Sequence, residues 1–116
     1  MAVDIAEARA HLERTQRQRD REGEERASRL RARLPEAAEM LRARGAERVL
    51  LFGSLAEGHS GRASDVDLAV EGLDPKHYFA CLADLMALFG GPVDLVRLEE
   101  ASPSLRDRVE AVGVPL

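Results

Sequence analysis

Tryptophan is absent from this 116-residue chain, and one tyrosine and three phenylalanines are its only aromatics. Few rings are therefore available to stack bases. Positive charge is not in surplus either: the formal net charge is -4, which weighs against a general binder of the phosphate backbone. Nucleic acid is not an expected partner. Cys81 is the sole cysteine, so no internal disulfide can form, and its apolar periodic setting predicts a small buried side chain in a reducing compartment. No apolar run reaches the roughly eighteen residues of a membrane span, and the start is charged from Asp4 onward. The expectation is a soluble, cytoplasmic protein with no membrane attachment.

The length suits one domain with a modest core. Its charge is unevenly spread: residues 1–48 carry 12 Arg against 10 acids, and residues 49–116 carry 5 basic against 11 acidic residues. From 4 to 34 there is no proline and one glycine, Gly23, among Ala, Arg, Glu, Gln and Leu, which predicts a long helix. Ile5, Ala8, Leu12, Ala27, Leu30 and Leu34 keep helical spacing at its two ends, whereas Thr15 to Glu25 offers no large apolar side chain. Such a segment is either a solvated helix laced with charge pairs or an arm that docks on another protein, through which the chain would form homo- or hetero-oligomers.

Pro35 and Gly45 bracket a second helix over 36–44. Arg48 to Phe52 is short, apolar and closed by Gly53, and reads as a buried strand. Leu55 to Glu57 suits one helical turn, His59 to Ala63 a loop, and Asp65 to Val70 a second strand. Asp74-Pro75 starts a core helix whose apolar face is predicted as Phe79, Leu82, Leu85, Met86 and Phe89, up to Gly90-Gly91. Val93 to Val96 is a further strand, and Ser102-Pro103 starts a last helix to about Val112. This order implies an α+β (α/β sandwich) fold: a small mixed sheet with helices packed on it, plus the long N-terminal helix.

The stretch with chemistry in it runs from Val49 to Val70. Strand alternation puts Asp65 and Asp67 on one face and Val66 and Leu68 on the other. Paired carboxylates repel, and a cation relieves the repulsion. Gly53-Ser54 after a strand lets a backbone approach an anion closely. Taken singly, Gly-Ser occurs in ordinary turns and Asp-x-Asp on solvated strand faces. Taken with Asp94 on a separate strand, they make a set of three carboxylates beside an anion-binding turn, able to hold two Mg²⁺ against a triphosphate.

Gly53-Ser54, ten residues, then Asp65-x-Asp67 resembles the signature of the nucleotidyltransferase superfamily that includes DNA polymerase beta. Gly58 and Ser64-Asp65-Val66-Asp67-Leu68 resemble its minimal nucleotidyltransferases, the MNT proteins paired with HEPN toxins. The resemblance spans roughly 36–116, including a final helix and short tail after Val109, and divides the chain into a helical arm, 1–34, and a minimal nucleotidyltransferase domain, 35–116. It implies the nucleotidyltransferase fold, with Gly53 and Ser54 on the nucleotide phosphates and Asp65, Asp67 and Asp94 as catalytic residues and ligands of two Mg²⁺. It further implies transfer of a nucleoside monophosphate, AMP from ATP, to a hydroxyl of a HEPN-type toxin. The alternative is an antitoxin that neutralises its partner by binding, with catalysis weak or lost. One departure stands out: where many relatives have Arg after Gly-Ser, this chain has Leu55, leaving Arg62 or Arg97 as candidate phosphate contacts. His59 and His77 are expected on the surface.

Overall fold

The computed structural model describes residues 4–58 and 66–116. Helix α1 covers Ile5–Ala32, its first turn closed by Asp4, whose carboxylate accepts from the Ala6 and Glu7 amides. Only its last part is anchored, through buried Ala27 and Leu30. Ile5 and Leu12 are exposed, so the N-terminal end of the apolar pattern is not buried against the described residues. At 1.5 Å per residue α1 is about 42 Å long, and the molecule measures 65 Å in its longest dimension. Among the described residues no helix is long and apolar enough to cross a membrane.

Helix α2, Leu34–Ala43, follows after the single residue Arg33 and buries Leu34, Ala37, Ala38 and Leu41. Strand β1 is Arg48–Phe52, the short helix α3 Gly53–Glu57, strand β2 Val66–Glu71, helix α4 Tyr78–Phe89, strand β3 Val93–Arg97, helix α5 Pro103–Val112 and strand β4 Val114–Pro115. These strands form one mixed sheet in the order β3-β2-β1-β4. β1 runs antiparallel to β2 and β4, and β2 runs parallel to β3. The expected sheet of strands and packed helices is therefore present, with one addition. The C-terminal tail pairs with β1, Leu51 opposite Val114, and the Leu116 amide donates to the Val49 carbonyl at 2.9 Å.

Alternation divides the sheet into two faces. Val49, Leu51, Val66, Leu68, Val70 and Leu95 meet α1, α2 and α4 in the larger core. Leu50, Phe52 and Ala69 meet Leu98 and Val109 in a smaller one beneath α5. At the far end of that second face Arg48 grips Glu110 with two hydrogen bonds, 2.8 and 2.9 Å, and Arg106 reaches Glu71 at 3.0 Å. The paired guanidinium holds the Glu110 carboxyl below its ordinary range. These links tie α5 across β1 and β2.

Helix α4 corrects one expectation. Leu85 is buried and Leu82 and Phe89 are half-buried as predicted, but Phe79 is 79% and Met86 44% exposed, and Cys81 and Leu85 supply the buried contacts. The reason is compositional. Asp84 is the only polar residue between Tyr78 and Phe89, so spacing alone does not single out one face. Cys81 is buried, as its setting implied, and burial pushes its thiol up. Its alkylation by iodoacetamide at pH 8 is accordingly expected to be at least about tenfold slower in the native chain than in urea. Equal rates would place the thiol at the surface.

Candidate active site

The site is assembled by strand register. The antiparallel return of β2 along β1 sets Asp67 opposite Phe52, the last residue of β1. In the parallel pairing of β2 with β3, Asp67 is opposite Asp94. Partners in register share a face, so both carboxylates emerge on the side that carries Phe52 and Ala69. The chain leaves β1 at Gly53 beside Asp67. Residues far apart in sequence thus meet at one end of the sheet, where β1 finishes and β2 and β3 begin.

Gly53 has φ +72°, a conformation that suits glycine. A Cβ built on it would lie 2.2 Å from the Asp67 Oδ2 and 2.9 Å from its carboxyl carbon. The missing side chain is therefore the space that Asp67 occupies. The first residue of the Gly-Ser pair and the second Asp of Asp-x-Asp touch, which gives their fixed separation a physical basis. Asp67 is 7% exposed and Ser54 is buried, whereas Asp94 is exposed on edge strand β3. An inner and an outer carboxylate result. Helix α3 begins at Gly53, so the Gly-Ser pair forms its first turn, two residues earlier than the expected turn at Leu55.

Asp65, Arg62 and His59 lie outside the described residues. Among the described residues no three His, Cys, Asp or Glu side chains come together as a metal-holding group. Asp67 and Asp94 supply two members of the set, and their donor chemistry fits Mg²⁺, a hard cation that prefers carboxylate oxygens. Arg97 does not join them. Three residues after Asp94 it points by alternation to the other face, donates from Nε to the Leu73 carbonyl at 3.0 Å and pairs with Glu100 at 2.6 Å.

Two contacts near the site carry no sequence signal. Tyr78, at the start of α4, donates its hydroxyl to the Leu95 carbonyl at 2.6 Å, next to Asp94; burial, and then the Asp94 charge, push its phenol up. Arg31 on α1 donates from Nη2 to the Leu55 carbonyl of α3 at 3.2 Å.

Comparison with known proteins adds to this geometry. A solved minimal nucleotidyltransferase is 32% identical, with TM-score 0.70, covering 78% of this chain and 95% of that one. A toxin-antitoxin crystal structure with AMP-PNP is 31% identical, with TM-score 0.59, covering 67% of each chain. An MNT antitoxin complex with tri-AMPylated HEPN toxin from Shewanella oneidensis is 25% identical, with TM-score 0.59, covering 74% of this chain and 70% of that one. Comparison with curated proteins found no match. The family profile for polymerase beta nucleotidyltransferases matches residues 37–116, which hold the whole sheet and its acidic end, and the chain belongs to that family.

Proposed function

We propose that this chain is a Mg²⁺-dependent nucleotidyltransferase that moves AMP from ATP to a hydroxyl of a HEPN-type toxin and so acts as the toxin's antitoxin. The observation that carries the reading is the meeting of Gly53, Asp67 and Asp94 at one end of the sheet. The similar structures add support, one with AMP-PNP and one with an AMPylated toxin beside its MNT antitoxin.

In this reading Gly53 and Ser54 hold the β and γ phosphates. Asp67 and Asp94, with Asp65 from the preceding alternate position, would hold two Mg²⁺. Bound Mg²⁺ supplies charge neutralisation and polarises the phosphate oxygens. Asp94, the accessible carboxylate, takes part in removing the acceptor's proton. The acceptor oxygen then bonds to the α phosphorus, the bond from that phosphorus to the bridging oxygen breaks, and pyrophosphate leaves. Arg62 is a candidate contact to the phosphates. Residues 1–34 form an arm, residues 35–116 form the catalytic domain, and the pair works in the cytoplasm.

The test is to incubate the chain with ATP, Mg²⁺ and the product of the adjacent open reading frame, then weigh that product intact. A gain of one or more AMP units, lost with EDTA, is the expected result. No gain from wild type sinks the transfer reading. If the Asp65→Asn, Asp67→Asn variant still neutralises the partner fully, the antitoxin acts by binding.

A further inference from the structure

Helix α3 is five residues long and carries Gly53 and Ser54 at its start. A helix that short has no stability of its own, so its surroundings hold it. It starts at one glycine of positive φ, Gly53 at +72°, and is ended by another, Gly58 at +92°. At its far end the carbonyls of the last turn lack partners within the helix. The Gly58 amide donates to the Ser54 carbonyl, and the Leu55 carbonyl is served from 24 residues away by the Arg31 guanidinium at 3.2 Å. A cation there also complements the negative end of the helix dipole.

Arg31 is well placed for this because it follows Leu30, the last buried residue of α1, with Ala27 one turn earlier. The part of α1 that is fixed in the core is therefore the part that presents Arg31. The same stretch of α1 borders a cleft of about 340 Å³ in which Ala27 and Arg31 face Gly58, the residue that ends α3. Arg31 also lies outside the residues matched by the family profile, which begin at 37.

We propose that Arg31 is a positioning residue for nucleotide binding: through the Leu55 carbonyl it fixes α3, and with it the orientation of Gly53 and Ser54 toward the phosphates. The N-terminal helix is then a brace of the phosphate-binding turn. The inference rests on the nucleotidyltransferase reading for its ligand, but the bracing itself can be measured without one.

The experiment uses the full chain as wild type, Arg31→Ala and Arg31→Lys. Affinity for AMP-PNP with Mg²⁺ is measured by calorimetry, and amide hydrogen exchange over residues 53–58 is followed without nucleotide. Arg31→Ala is expected to bind AMP-PNP about tenfold more weakly, as suits one lost charge-assisted hydrogen bond, and to exchange faster over 53–58 while its melting transition stays cooperative. Arg31→Lys, which keeps one donor and the charge, is expected to recover part of both. Wild-type affinity and exchange in Arg31→Ala would overturn the proposal. If wild type binds no nucleotide, the transferase reading falls, and the exchange rates over 53–58 still decide whether Arg31 braces α3.

Discussion

Asp67→Asn is expected to lower AMP transfer by on the order of 10³-fold or more, about 4 kcal/mol of transition-state stabilisation, while leaving the chain folded. Asp67 is the inner carboxylate, 7% exposed, with Asp94 beside it in register. Asn keeps the shape and one acceptor oxygen but removes the negative charge that draws the cations. Added Mg²⁺ is expected to raise the wild-type melting temperature, because a ligand that binds only the folded state stabilises it, and to leave Asp67→Asn unmoved. Asp94→Asn should lose activity with a smaller change in melting temperature, since Asp94 is exposed. A variant that stays folded and still transfers at the wild-type rate would remove Asp67 from the chemistry.

The sheet and much of the site were legible in sequence because local rules and tertiary requirements agree there. Val49 to Phe52 is apolar on both faces, as a strand between two cores must be, and glycine follows where the chain needs positive φ. Asp67 interrupts an apolar strand, and the register sets it opposite Asp94. Where local rules are silent, legibility ends. Helix α4 is apolar nearly all round, so spacing does not mark which of its large side chains stay exposed, and Phe79 and Met86 do. The strand at Val114–Pro115 exists only because β1 has a free edge to accept it. Arg31 is one of many arginines in a charged helix, and nothing near it in sequence marks the Leu55 carbonyl as its partner. The division between seen and unseen contacts therefore follows sequence distance less than composition. Asp94 lies 27 residues beyond Asp67 and was legible, because an acid inside a short apolar strand is conspicuous.

Gly53→Ala is expected to lower transfer by about 10²-fold or more, although it removes no chemical group. Two costs combine. At φ +72° any L-residue is strained, by about 1–3 kcal/mol. In addition the new Cβ would lie 2.2 Å from the Asp67 Oδ2 and 3.1 Å from its Cβ. Rotation of the carboxylate removes the first conflict and not the second, so Asp67 or the start of α3 must shift. A group of the proposed site misplaced by 1 Å costs about 10²-fold in rate. Gly58→Ala isolates the strain, for Gly58 has φ +92° but no described residue within 4 Å of the point where a methyl group would stand. It is expected to lower stability by a similar 1–3 kcal/mol, roughly, and to keep transfer within about tenfold of wild type. A double-mutant cycle separates the clash from the strain. With Asp67→Gly in the background both the carboxyl group and the Cβ are gone, so Gly53→Ala should cost about as much stability as Gly58→Ala. If Gly53→Ala costs as much in that background as in wild type, the close approach of Asp67 is not what excludes a side chain at position 53, and the glycine serves the turn alone.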